Sequence, residues 1–135
     1  MYYIDVRCID NLYIMRGGKD MSIDKSLISG STSMLVMKLL EEQDMYGYQM
    51  IAALKKRSNN VFELKAGTLY PLLHGMESKG YLTSYEQEEG GKTRKYYGLT
   101  REGRKVLKEK KEEWKTYRYA VESVLKADGA LAGNV

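Results

Sequence analysis

Cysteine, histidine and proline are almost absent from this sequence, which has one of each among its 135 residues. The single cysteine, Cys8, excludes an internal disulfide and favours a reducing cytoplasm. With one cysteine and His74 as the only histidine, the usual zinc sites cannot be assembled, so we predict no metal site. The same scarcity removes most nucleophile–base pairs, and we therefore predict neither catalytic residues nor a cofactor. No apolar run approaches the roughly 20 residues that a membrane-spanning helix requires.

Positive charge is modest in total but concentrated in one segment. The formal net charge is +4, with a sequence pI near 9.0. Between Lys92 and Arg118 the acidic residues are only Glu102, Glu109, Glu112 and Glu113. The basic residues of that segment are Lys92, Arg94, Lys95, Arg101, Arg104, Lys105, Lys108, Lys110, Lys111, Lys115 and Arg118. This distribution favours an anionic partner more strongly than the net charge does.

Apolar periodicity predicts a mainly α-helical fold with a small β-hairpin. Helices are expected over about 26–42, 47–58, 66–79 and 101–126, and strands over 81–87 and 93–99 around a Gly90-Gly91 tip. The second helix is expected to turn Tyr48, Ile51 and Leu54 inward, and one of Tyr96 and Tyr97 to face the surface of the hairpin.

This order of elements is that of a winged helix-turn-helix followed by a C-terminal helix. We expect the winged helix to occupy residues 21–100 and a dimerisation helix residues 101–127. Residues 128–135 are expected to be a disordered tail. Residues 1–20 lack clear periodicity, while Met21 opens a typical protein start, so we expect residues 1–20 to be an extension outside the native fold.

The last helix carries a narrow heptad seam, in which positions step alternately by three and four residues. Such a seam on a long charged helix normally packs against a partner helix, and it predicts a homodimer. Its residues are Leu107, Lys110, Trp114, Tyr117, Val121 and Val124. Trp114 has two interpretations, either an anchor of the dimer seam or a platform on which an aromatic ligand stacks.

The third helix is the best candidate for insertion into the major groove of DNA, because its apolar side would pack on the first two helices and leave its polar side free. That apolar side consists of Leu69, Leu72, Leu73 and Met76. The hairpin would add cations that neutralise phosphates. The candidate DNA contacts are Tyr46, Tyr48, Lys65, Thr68, Tyr70, His74, Lys92, Thr93, Arg94 and Lys95. Taken singly, cations in a hairpin more often form a solvated edge than contact DNA. Tyr70 taken singly is as often a half-buried core residue as a phosphate donor. A winged helix that binds proteins without touching DNA therefore stays open as an alternative.

Three motifs in order resemble the PadR-like family of transcriptional regulators. Tyr46–Ile51 is similar to the family's second-helix motif, Gly67–Leu73 to its recognition helix, and Thr93–Thr100 to its wing. The likeness extends from about Leu27 to Leu107. It implies a dimeric bacterial repressor that binds inverted-repeat operators and acts in the cytoplasm, on the nucleoid when bound.

The resemblance also implies a class of effector. Known effectors of the family include phenolic acids and hydrophobic drugs, and the short last helix resembles a subfamily that includes a multidrug-binding regulator. In that regulator a tryptophan of the last helix stacks flat aromatic ligands at the dimer interface. Trp114, with Tyr117 beside it, is the matching candidate here.

Overall fold

The computed structural model describes Ile23 and residues 25–126. These residues belong to two units that divide between Gly30 and Ser31, within the first helix, and the contacts described below all lie in the second unit. The expectations for residues 1–20 and 128–135 lie outside the described residues.

Residues 25–126 form four helices and a three-stranded antiparallel sheet. The elements are α1 (Lys25–Glu42), β1 (Met45–Tyr46), α2 (Gly47–Arg57), α3 (Ala66–Ser78), β2 (Leu82–Glu89), β3 (Lys92–Leu99) and α4 (Arg101–Leu125). The predicted mainly helical winged helix is confirmed, with each predicted element within two residues of its observed bounds. No helix within 25–126 is long and apolar enough to cross a membrane.

The sheet contains one strand that periodicity did not predict. β1 pairs with β3 through Met45↔Tyr97 and Tyr46↔Tyr96, so the strand order is β1-β3-β2. A strand of two residues is too short to show alternation, which explains why it was missed. β2 and β3 pair along their whole length and turn through Gly90 and Gly91, whose φ angles of 58° and 80° suit a tight two-residue hairpin.

The core joins the first three helices to the sheet and to the start of α4. Methionine supplies four of its side chains, Met37, Met45, Met50 and Met76, each at most 5% exposed. The other buried members are Val36, Leu39, Leu40, Leu54, Leu69, Leu73, Leu82, Tyr97 and Leu107.

The ends of α2 and α3 are fixed by local hydrogen bonds. The Ser58 hydroxyl donates to the carbonyl of Leu54 (2.7 Å) and accepts from the N–H of Phe62 (2.8 Å). At the end of α3, Gly80 has a φ of 84° and the N–H of Tyr81 donates to the Met76 carbonyl (2.9 Å), as in a Schellman motif. The first set of bonds fixes the start of the turn between α2 and α3, and the second fixes the turn from α3 into β2.

Pro71 lies inside α3, beyond its first turn. Its ring nitrogen cannot donate to the carbonyl of Gly67, which is the i−4 partner in a regular helix. Gly67 is exposed, so water can reach that carbonyl. The helix keeps the proline on its solvent side, where the lost hydrogen bond costs least.

Thr100 is the N-cap of α4, as predicted, and its hydroxyl oxygen accepts from the N–H of Gly103 (2.9 Å). Leu107, placed on the dimer seam by the sequence, is 0% exposed and belongs to the core of the single chain. The assignment of Leu107 to the dimer seam is wrong. The heptad spacing already begins in the part of α4 that packs on the core, so spacing alone did not separate Leu107 from the exposed residues that follow. Every residue of 108–126 is exposed.

Candidate DNA-binding surface

The outer face of α3 is polar and open. Of the predicted inner face, Leu69, Leu73 and Met76 are buried and Leu72 is half-buried against the core. Thr68 and His74 are exposed on the other side. Lys65 is the N-cap of the helix and is also exposed. A cation at the end where the helix N–H groups point outward gives this end of α3 a positive potential suited to a phosphate.

Tyr70 is held against the start of α2. A Cβ atom built on Gly47 would overlap the hydroxyl and ring of Tyr70, so only glycine leaves room for the tyrosine there. The ring lies 6.5 Å from that of His74 and remains 37% exposed. Both interpretations of Tyr70 therefore apply in part, since it braces α3 on α2 and still reaches solvent.

The two tyrosines that flank Gly47 have opposite environments. Tyr48 is 70% exposed, which corrects its expected place on the inner face of α2; Gly47, Met50 and Leu54 fill that face. The inner face was predicted to start at Tyr48 instead of Gly47. Glycine has no apolar side chain, so hydrophobic periodicity does not mark Gly47 as a buried position. Tyr46 is half-buried, and its N–H donates to the Gln49 side chain (3.1 Å).

An aromatic cluster covers the outer face of the sheet. The ring of Tyr96 is stacked on that of Tyr85 (centroids 5.7 Å apart, 11° between planes) and meets that of Tyr46 edge-on (5.3 Å, 77°). Tyr96 is consequently only 8% exposed, although Tyr97 faces the core on the other side at 0%. The alternation of the pair was predicted correctly, but the exposure of one member was not, because it depends on tyrosines from two other strands.

Carboxylates hold the hydroxyl groups of this cluster. Tyr85 donates to Asp44 (2.7 Å) and Tyr96 to Glu89 (2.5 Å). The hydrogen bond to the Glu89 carboxylate, with burial, raises the pKa of Tyr96 to about 12, and the bond to Asp44 raises the pKa of Tyr85. A side chain at Gly98 would collide with the Asp44 carboxylate. The sequence analysis did not predict the contacts of Tyr96 with Tyr85, Tyr46 or Glu89. Cross-strand pairing of Tyr85 with Tyr96 in the predicted hairpin would have indicated the first of them.

The wing formed by β2 and β3 is less basic than its second strand suggests. Lys92, Thr93 and Lys95 are exposed, but β2 places Glu89, Glu88 and Glu86 directly opposite them. Arg94 is half-buried, with its guanidinium carbon 4.4 Å from the centre of the Tyr46 ring, a cation–π contact. Within residues 25–126, neither Lys92 nor Lys95 forms an ion pair.

The predicted effector residues lie together on α4. The rings of Trp114 and Tyr117 are 6.1 Å apart, and the two residues are 44% and 56% exposed. Val121 and Val124 continue the same stripe at 38% and 75%, and Lys110 begins it, also exposed. No group of three His, Cys, Asp or Glu side chains in the described part of the chain is arranged to hold a metal ion.

An open helix that follows a helix–turn unit, beside a two-stranded wing, defines the winged helix class of DNA-binding proteins. Within that class the chain belongs to the transcriptional regulator PadR-like family, whose family model matches residues 36–109. The members of this family are DNA-binding regulators of transcription, and the resemblance to the PadR-like family that the three motifs indicated is confirmed.

Individual relatives agree with this assignment. An uncharacterised protein of Lysinibacillus sphaericus is 34% identical over 94 residues, which are 68% of this chain and 85% of that protein. Transcriptional regulator YqjI of Escherichia coli K12 is 30% identical over 84 residues, 62% of this chain but only 39% of that protein. Among solved structures, a PadR family transcriptional regulator from Eggerthella lenta is similar at 36% identity and a TM-score of 0.69, with 77% of this chain and 89% of that chain covered. A transcriptional regulator from Clostridium thermocellum has 34% identity and a TM-score of 0.70, covering 75% and 99%.

Proposed function

We propose that this chain is a homodimeric repressor that inserts α3 into the major groove of an inverted-repeat operator. The observation that carries the proposal is the open polar face of α3, with Thr68 and His74 exposed between the Lys65 end of the helix and the wing. Side chains on the exposed face of a recognition helix read base edges. Repression follows when such an operator overlaps a promoter, and binding takes place on the nucleoid in the cytoplasm.

The remaining contacts are proposed for the phosphate backbone. Lys92, Thr93 and Lys95 extend from the wing without ion-pair partners among residues 25–126. Tyr48 is exposed at the first turn of α2, where a hydroxyl can donate to a phosphate oxygen. Tyr46 and Arg94 hold each other, so their part is to support this surface.

The dimer is proposed to form through α4. Trp114, Tyr117, Val121 and Val124 make an apolar stripe that no other part of the single chain covers within the described residues. A helix with one exposed apolar stripe is stabilised by a second such helix. A two-fold dimer presents two α3 helices, which is why the operator is expected to be an inverted repeat.

A flat hydrophobic or aromatic effector is proposed to bind beside Trp114 and Tyr117 and to release the operator. The two exposed rings, tilted by 34°, offer the kind of aromatic surface on which such a ligand stacks. Because the same side chains lie on the proposed dimer stripe, a ligand there would alter the spacing of the two α3 helices.

One observation favours a second candidate, a winged helix that binds a protein instead of DNA. The three glutamates opposite the wing cations reduce the phosphate attraction of this hairpin. Measured salt dependence separates the two functions, because binding that neutralises phosphates weakens steeply as salt rises.

The test is selection of DNA duplexes from a random library, followed by titration of the enriched duplex over a range of salt concentrations. We expect enrichment of an inverted repeat bound by two chains. Lys92→Ala should lower the steepness of the salt dependence by about one unit on a log–log plot. Lys56→Ala, which removes an exposed lysine from the far end of α2, is the matched control and should leave the slope unchanged. Failure to enrich any sequence would refute the proposal in favour of the protein-binding candidate.

A further inference from the structure

We infer that Tyr96 and Glu89 are positioning residues, which fix the wing at the angle that DNA binding requires. Their hydrogen bond spans seven positions of the chain and connects the buried base of the hairpin to the residue before its turn. The inference rests on the proposed function and assigns a role to a contact that this function has not used.

The wing needs such a support because little else holds it. From Tyr85 to the turn every residue of β2 is exposed, and β3 becomes buried only at Tyr96. A two-stranded ribbon outside a core is marginally stable and free to twist. The pairs from Glu86↔Lys95 to Glu89↔Lys92 form such a ribbon.

Tyr96 is anchored firmly enough to act as the support. Its ring is stacked on that of Tyr85 and meets that of Tyr46 edge-on, and its hydroxyl extends from this buried position to the Glu89 carboxylate (2.5 Å). A hydrogen bond between a phenol and a carboxylate is charge-assisted, and it is stronger than one between neutral groups.

A second contact connects the same part of the wing to the helix-turn-helix. Arg94 lies 4.4 Å above the ring of Tyr46, which is also the N-cap of α2 and is fixed there by Gln49. The wing is thus tied to α2 through Arg94 and stiffened along its length by Tyr96. Motion of the hairpin relative to α3 is limited by both contacts.

The bond to Tyr96 also affects charge at the tip. Glu89 pairs with Lys92 across the hairpin, yet these two side chains form no ion pair in the described structure. Because Tyr96 holds the Glu89 carboxylate, the Lys92 ammonium group stays available to a phosphate. The tyrosine is therefore expected to influence DNA binding without a DNA contact of its own.

A double-mutant cycle on the selected duplex tests the role. Tyr96→Phe removes only the hydroxyl group, and we expect it to weaken binding of that duplex by about three- to tenfold, the range for loss of one net hydrogen bond. The slope of affinity against salt should fall by less than the full unit expected for Lys92→Ala, because the released Glu89 carboxylate can then pair with the Lys92 ammonium group. In a Glu89→Ala background the same Tyr96→Phe change should have no effect, since its partner is already absent.

Glu89→Gln is the conservative control, because its amide oxygen still accepts from Tyr96 while the charge is removed. Tyr96→Phe should therefore weaken binding in this background, although by less than in the wild type. Independent losses from Tyr96→Phe and Glu89→Ala would overturn the inference, as would a wild-type affinity for Tyr96→Phe.

Hydrogen exchange of the free protein gives a readout that does not need DNA. Tyr96→Phe should speed exchange of the amides of residues 86–95 and leave those of α3 unchanged. If no duplex is enriched, the proposed function fails while faster wing exchange still demonstrates the support. Unchanged wing exchange overturns the inference even if the wild type binds its operator tightly.

Discussion

Gly47→Ala tests whether α3 is braced by the packing of Tyr70 on α2. The new methyl group would overlap the end of the Tyr70 side chain, so the ring must leave its place. Gly75→Ala is a matched control inside α3, because nothing lies within 4 Å of the Cβ that would be added there.

The expected magnitude follows from two opposing effects. Alanine stabilises a helix by up to about 1 kcal/mol relative to glycine. Overlap with a packed neighbour costs roughly 1–3 kcal/mol, and we take about 1–2 because Tyr70 is 37% exposed and can turn outward. Gly47→Ala should then lower the free energy of unfolding by about 0–1.5 kcal/mol, whereas Gly75→Ala should raise it by roughly 0.5–1 kcal/mol.

Urea unfolding at a fixed protein concentration measures both effects in two backgrounds, Tyr70 and Tyr70→Ala. Removal of the ring removes the overlap, so Gly47→Ala should become stabilising, with a coupling free energy of about 1–2 kcal/mol between the two sites. The control Gly75→Ala should have the same effect in both backgrounds. Coupling between Gly47 and Tyr70 within about 0.5 kcal/mol of zero would refute the proposed brace.

Two further predictions follow from buried side chains. Leu107→Ala should lower the free energy of unfolding by about 2–5 kcal/mol, because it leaves a cavity in the core. The control Lys108→Ala, at an exposed position, should change it by less than about 0.5 kcal/mol. Equal effects of the two changes in urea unfolding would contradict the burial of Leu107. A phenol whose pKa is raised by folding, as for Tyr96, stabilises the protein below pH 10 and loses that contribution as the pH rises from 10 towards 12. Absorbance titration at alkaline pH should therefore show late-ionising tyrosine, and the contribution of Tyr96 should be lost in Tyr96→Phe; an unaltered titration curve in that variant would contradict the assignment.

Helix order, the inner face of α3, the hairpin turn and the cap at Thr100 could all be predicted from sequence, because each depends on residues near one another in the chain. Leu69, Leu73 and Met76 repeat at helical spacing, and Gly90-Gly91 allows only a few turns. The three motifs of the family then identified the class of protein, and the family match confirms it.

The support of the wing could not be predicted in the same way. Tyr96 is covered by Tyr46 and Tyr85, which lie 50 and 11 residues away in the chain, and the contact with Tyr46 depends on a two-residue strand that has no periodic signal. Leu107 was misplaced for a related reason, since helical spacing continues unchanged where α4 passes from the core into solvent. Spacing gives the face of a helix but does not indicate what covers that face.

Oxidation of the four core methionines can be used to measure how often the fold opens. Met37 and Met50 are 0% exposed, and Met45 and Met76 are 5% exposed, so a dissolved oxidant reaches these thioethers mainly when the helices separate. Conversion to the sulfoxide places a polar group among apolar side chains and hinders reclosure. Peptide mass spectrometry over time gives the yield of sulfoxide at these positions, and this yield measures how often the winged helix opens. Each molecule that is oxidised while open is lost from the folded population.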